Sequence, residues 1–314
     1  MGQASGYAEG LISGATWGFV AVLLTRPSSL MSGHPALATS VVMAAVFDCA
    51  AALFLLVRST VVGALPEILG LVTSVRALPV AACSLLGGPV FMGGYIAAVI
   101  LAGPSYALTA TATYPVFGAL FAQRRLRQRL GRGVWLGVTA TALGAALTVF
   151  DASISADGTR TLVGVVIALS AAAGLALEGI VATYVMADVD ADTTMAVREL
   201  FSALMFAVAV ALVPAGVTTT LTVAHTHDVY LPIVVAGLIG GYSFAIWYRS
   251  IRKIGVAKAM ALNITYAMWG VLFAAALHRA TPGMLAVAGS AIVTIGATTT
   301  ILADRRQLAR GRFS

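Results

Sequence analysis

Two acids sit in unusual company for ionisable residues. Asp48 lies in the run Ala44-Ala45-Val46-Phe47-Asp48-Cys49-Ala50, and Glu178 in Gly174-Leu175-Ala176-Leu177-Glu178-Gly179-Ile180. A carboxylate in such a setting can neutralise a cation or carry a proton, because burying it without a partner is costly. Aromatic side chains recur in similar runs: Trp17, Tyr95, Tyr114, Phe244, Tyr266 and Trp269, with Trp247 and Tyr248 close behind Phe244. Singly, each is accounted for by packing or by contact with lipid. Together, and beside a buried acid, they compose a cage for a quaternary ammonium group, which binds ring faces and has no proton to donate. Asn263, one helical turn before Tyr266, adds a polar group to the same wall. The candidate substrate contacts are therefore Trp17, Tyr95, Tyr114, Glu178, Phe244, Asn263, Tyr266 and Trp269. Glu178 and Asp48 are the proton-coupling candidates.

The other polar clusters carry less. Asp188-Val189-Asp190-Ala191-Asp192 is similar to an acidic cluster of membrane prenyl transferases, but it has no second acidic partner motif and reads as a solvated loop. His225 and His227 lack further ligands at zinc spacing, so no metal site is expected. Arg198 and Glu199 read as an ion pair at the start of a helix. Cys49 and Cys83 fall in apolar runs, which argues against a disulfide framework. No phosphate-binding loop, nucleophile elbow or dinucleotide fingerprint stands where it could work, so neither ATP-driven transport nor a cofactor is expected.

The elements that must position these residues follow from composition. Of 314 residues, 60% are hydrophobic and 10% charged, against about 25% charged in a soluble domain. That balance excludes a soluble fold and predicts an all-α integral membrane protein. Apolar runs broken by charge, Gly and Pro predict ten spans, at about 7–25, 36–57, 78–101, 104–122, 133–150, 161–186, 195–214, 229–250, 256–277 and 283–302. The stretch 59–77, with Pro66, Glu67 and Arg76, is too broken to span and is expected on the membrane surface. With both termini in the cytoplasm, 16 of the 19 basic residues fall on the inner side; only Arg26, Arg160 and Arg279 fall outside. This asymmetry is the one that basic loops impose on topology. It explains the net charge of +7 without a nucleic-acid partner.

The chain also repeats itself. Thr113-Tyr114-Pro115-Val116-Phe117-Gly118-Ala119-Leu120-Phe121 aligns with Thr265-Tyr266-Ala267-Met268-Trp269-Gly270-Val271-Leu272-Phe273 at an offset of 152, where Gly103 also meets Gly255 and Ala107 meets Ala259. With a one-residue slip, Gly87-Gly88 meets Gly240-Gly241, Phe91 meets Phe244 and Tyr95 meets Tyr248. Five spans per half is odd, so the second copy (156–314) is expected to be inverted in the membrane relative to the first (1–155). Inverted repeats are the architecture of secondary transporters, with substrate held between the halves near the midplane. Gly14-x-x-x-Gly18 and Gly133-x-x-x-Gly137 read as close helix packing. Gly87, Gly88, Gly93 and Gly94 mark a bend in the third span.

At these residues the chain resembles the drug/metabolite transporter superfamily, EamA type, over essentially its whole length. It looks closest to the bacterial choline-permease branch of LicB type. The resemblance rests on Gly10-Leu11-Ile12-Ser13-Gly14-Ala15-Thr16-Trp17-Gly18, Leu85-Leu86-Gly87-Gly88-Pro89-Val90-Phe91-Met92, Tyr114-Pro115, Glu178, Val197-Arg198-Glu199 and Ala257-Lys258-Ala259-x-x-Leu262-Asn263-x-x-Tyr266-x-x-Trp269. It implies a transporter, not an enzyme, that holds choline or a related amine among Trp17, Tyr114 and Glu178. The chain departs from that branch at Leu175, where an aromatic is expected, at Phe47, where a His is expected, and in the Arg124–Arg132 cluster after the fourth span. The expected function is alternating-access transport of a small cationic or zwitterionic metabolite across the cytoplasmic membrane, with proton coupling through Glu178 or Asp48. An exporter of amino acids or drugs is the alternative. The expected partners are a small-molecule substrate and the lipid bilayer.

Overall fold

The computed structural model describes residues 2–31, 33–102, 104–149, 158–278 and 281–309. The expected junction of the halves at 155/156, and Gly103, Arg279, Arg310 and Arg312, lie outside them. Within the described residues every regular element is helical. The order is α1 (Gly2–Leu30), α2 (Ala36–Val61), α3 (Leu65–Val72), α4 (Ala77–Leu85), a π-helical segment (Leu86–Gly93), α5 (Gly94–Ala102), α6 (Pro104–Thr111) and α7 (Tyr114–Arg125). There follow α8 (Arg132–Val149), α9 (Gly158–Val185), α10 (Ala191–Leu212), α11 (Gly216–His225), α12 (His227–Ile254), α13 (Val256–Asn263), α14 (Tyr266–His278) and α15 (Met284–Ala309).

Among the described residues, seven helices are long and apolar enough to cross a membrane, and an eighth span is formed if the bent pair Leu65–Val72 and Ala77–Gly93 counts as one. This is fewer than ten because the expected third span is bent and the fourth is broken, while the fifth, α8, is a single helix of 18 residues that is not among the seven. The fourth is carried by α6 and α7, of 8 and 12 residues, each too short to cross about 30 Å alone. The 90° bend turns α3 across the axis of the helix that follows. Ile68 and Leu71 are the residues α3 buries.

The breaks have local causes. Pro89 has no N–H to give the helical ladder, and the backbone around it takes the wider π turn instead. Before Tyr114 and before Tyr266 the chain leaves the helix for two residues. At each break a threonine hydroxyl bonds back three residues: Thr113 Oγ1 to the Ala110 carbonyl and Thr265 Oγ1 to that of Leu262, both at 2.6 Å. Gly255, at φ +83°, sits between α12 and α13 in a backbone conformation that side chains disfavour.

Packing is pairwise and dense. Helix α1 runs along α12, α9 runs along α4, the π segment and α5, and α8 pairs with α15. Helix α2 lies between α12 and α10. Gly14 and Gly18 let α1 approach the backbone of α13 and α14, and Gly133 and Gly137 let α8 approach α15. Helices α1 and α12 are antiparallel: Lys253 bonds Glu9 at one end, at 2.5 Å, and Arg26 bonds Asp228 at the other, at 2.8 Å.

The acidic run 188–192 is not merely a solvated loop. Asp190 caps α10, its carboxylate accepting from the Asp192 and Thr193 amides at 2.8 and 3.2 Å. Each of the three acids also takes an arginine: Asp188 takes Arg76, Asp190 takes Arg252, and Asp192 takes both Arg58 and Arg249. The cap moves the start of α10 back to Ala191. Arg198 and Glu199 are thereby carried two turns inside the helix, where both are buried. They are not an end-of-helix pair.

Candidate functional site

A cavity lies where α1, α2, the π segment, α7, α9, α10 and α12 to α14 converge. It offers about 60 Å³ to the centres of water-sized spheres, and one water needs about 10–15 Å³ by that measure. Its lining includes Trp17, Phe47, Asp48, Gly87, Phe91, Met92, Tyr114, Leu175, Glu178, Met195, Arg198, Ser243, Phe244, Trp247, Asn263 and Tyr266. Residues from both halves of the sequence meet here.

The aromatic side is built around Phe244. Trp17 lies tilted on it with ring centroids 5.0 Å apart, and Phe47 meets Trp17 edge-on at 5.8 Å. These are the offset and edge-to-face arrangements that ring quadrupoles favour. Phe47 comes into this wall because Gly240 on α12 leaves room for its ring. Tyr114 and Tyr266 each open a helix after a break, so both rings stand where backbone has been cleared. The Tyr114 hydroxyl donates to Asn263 Oδ1 at 2.8 Å, and the Asn263 amide donates to Ser13 Oγ at 2.7 Å. Asn263 therefore ties α1, α7 and α13 together at the cavity edge.

The opposite wall is charged and buried. Glu178, fully enclosed, accepts from Arg198 Nε at 2.7 Å and from the Tyr248 hydroxyl at 2.9 Å, both on Oε1. Arg198 Nη1 donates to Glu199 Oε2 at 2.6 Å. Asp48 accepts from the Ser202 hydroxyl at 2.6 Å. Three carboxyl groups thus surround one guanidinium. Two of their oxygens, Glu178 Oε2 and Glu199 Oε1, are buried with no hydrogen-bond partner among the described residues, and so is the Trp247 indole N–H. Orphaned buried polar atoms are rare, and two of these residues, Glu178 and Trp247, line the cavity, which marks a place for a ligand or bound water. Gly87 makes the arrangement possible, because a Cβ there would overlap the Glu178 carboxylate and the Arg198 guanidinium.

The structure brings together Trp17, Tyr114, Glu178, Phe244, Asn263, Tyr266 and Asp48. It does not bring Tyr95 or Trp269 to the cavity lining. Tyr95 packs with the small residues of α5, α6 and α9. Trp269 stacks on Phe273 at 6.0 Å, against Gly18 of α1. The π turns shift the phase of the third span, so Tyr95 faces elsewhere than an unbroken helix would aim it. Phe47 and Leu175, departures from the choline-permease pattern, also line the cavity, as do Arg198, expected at a helix start, and Trp247, one of the aromatics but not one of the candidate contacts. The Trp247 signal was present in its spacing, three residues after Phe244.

Comparisons with known proteins agree with this architecture. A solved crystal structure superposes with a TM-score of 0.78 over 96% of this chain and 97% of that chain, at 18% identity, so the two share a fold. Protein LicB of Haemophilus influenzae is 23% identical over 195 residues, 60% of this chain and 62% of LicB. The match thus takes in less than two thirds of that relative's length. Residues 162–302 match the model of the EamA-like transporter family. That match takes in 141 of the 314 residues, and over them this multi-pass membrane protein is similar to a family of transporters.

Proposed function

We propose that this chain is a secondary active transporter of a small cationic or zwitterionic metabolite, choline or a related quaternary amine, working by alternating access. The observation that carries the reading is the Glu178 carboxylate: buried on the wall of an aromatic cavity, with one oxygen saturated and Oε2 unpartnered. A cation desolvated into this space gains both ring faces and negative charge. Aromatic faces alone would accept a neutral ligand equally well. The likeness to LicB supports the assignment to the choline-permease branch.

In this reading the chain forms ten spans in two inverted halves, 1–155 and 156–314. The matched breaks before Tyr114 and Tyr266 support it, as does the pattern of packing. Exchanging the spans of one half for those of the other turns the α1–α12 pair into the pair of α9 with α4, the π segment and α5, and returns α8–α15 to itself. One half rocks against the other around the cavity. Glu178 and Asp48 carry the coupling proton, and both termini lie in the cytoplasm of a cell whose inner membrane holds the protein.

The test is ligand-induced thermal stabilisation of purified protein with choline, betaine, carnitine, neutral amino acids and a lipophilic cation, in wild type and Glu178→Gln. Stabilisation by quaternary amines that disappears in the variant is the expected result. Stabilisation by neutral or anionic compounds alone would reduce the rings to packing and end the cation reading.

A further inference from the structure

The cation site proposed above already contains a cation, and it belongs to the protein. Arg198 places its guanidinium carbon 5.6 Å from the centroid of the Phe244 ring, within cation–π range. The same group bonds Glu178, and the ring it covers is the one Trp17 leans on. Aromatic face and carboxylate are the two attractions a substrate ammonium would use. Arg198 has a second place to go. Its other arm already holds Glu199, and the far side of that buried carboxyl faces Asp48 in a carboxyl pair. The two glutamates flank the guanidinium, and the Asp48–Glu199 pair offers it a second seat of negative charge. Gly87 and Gly88, which carry no side chains, leave the room beside it.

We propose that Arg198 is a tethered competitor of the substrate: it covers Glu178 and Phe244 until a cation displaces it onto Glu199. The inference rests on the cation reading of the cavity and adds a specificity rule to it. Only a ligand bearing positive charge can replace a guanidinium at Glu178 without stranding a buried carboxylate, so an uncharged isostere is rejected. The rule also explains how a buried carboxylate is kept paired between transport cycles. Because the competing arrangement lowers the fraction of protein ready to bind, removing the competitor must tighten cation binding by the inverse of that fraction.

The experiment measures binding of choline and of its uncharged isostere 3,3-dimethylbutan-1-ol to purified wild type and to R198Q/E199Q, which removes one charge of each sign. Choline is expected to bind the double variant about tenfold more tightly, and the isostere, rejected by wild type, is expected to gain as well because no guanidinium remains to be displaced. The single variant R198K keeps the charge but loses the planar fork; it is expected to shift choline the same way by a smaller factor. It decides the matter if the double variant does not fold. Choline affinity equal to or below wild type in a folded variant would overturn the proposal, reducing Arg198 to a structural brace. A selective loss of betaine, with choline unchanged, would also overturn it and make Arg198 a receptor for a substrate carboxylate. Absence of choline binding to wild type as well would instead sink the cation reading itself.

Discussion

The paired glycines of the two halves face opposite chemistry. Gly87 and Gly88, in the π segment, give room to the Glu178 carboxylate, the Arg198 guanidinium and the Ser202 hydroxyl. Gly240 and Gly241, their counterparts in the unbroken helix α12, give room to the Phe47 ring and to the Ala51 backbone with the Phe54 ring. The repeated sequence thus makes the same clearing twice, once for charge and once for an aromatic ring. Pro89 accompanies only the first clearing; its counterpart by the same offset is Tyr242. The repeated sequence therefore holds an asymmetric site, with the charges on one side and the rings on the other. Under the proposed function, that difference orients a polar ligand, since its cationic end has one wall to prefer.

The sharpest way to break the comparison is to fill both clearings. Within a helix, Ala is ordinarily favoured over Gly by about 1 kcal/mol, so any loss must come from the contacts. Gly87→Ala displaces a buried ion pair and is expected to cost about 3 kcal/mol and abolish amine binding, read by thermal unfolding in detergent and by ligand titration. Gly240→Ala is expected to cost less, about 1–3 kcal/mol, because the Phe47 ring can tilt away at the price of its contact with Trp17. A larger loss in Gly240→Ala than in Gly87→Ala would mean that the aromatic wall, not the charged one, is the rigid side.

The repeated tyrosines give a finer version of the same contrast. Tyr114 donates to Asn263, whereas the Tyr266 hydroxyl has no hydrogen-bond partner among the described residues. Tyr114→Phe is expected to lower stability by about 1 kcal/mol, since it strands the Asn263 carbonyl oxygen. Tyr266→Phe is expected to change stability by less than about 0.5 kcal/mol and to leave choline binding intact, because a ring face is retained. Equal effects in the two variants, in paired unfolding curves, would show that the clamp through Asn263 contributes nothing.

Much of this was legible in the residues. Apolar runs specify helices in a membrane because the backbone there must satisfy its own hydrogen bonds. The Thr-Tyr repeat marked two equivalent positions but not the helix breaks before both tyrosines, and an acid among apolar residues at 178 announced a buried charge. Helix phase was less legible. Tyr95 follows a π-helical stretch whose extra residue per turn changes the face presented, and Trp269 lies a turn beyond Tyr266, where α14 has closed on α1.

The residues alone specify which segments are helical and apolar, and that Glu178 needs a partner. Tertiary structure decided who that partner is. Along the chain, Arg198 looks like a boundary, because a charge in an apolar run signals the end of a span. It becomes an interior residue only because the Asp190 cap sets the register of α10 and because α9 brings Glu178 across to meet it. The physical reason is that hydropathy scores each charge alone, whereas the cost of burial depends on a partner that can lie on any neighbouring helix.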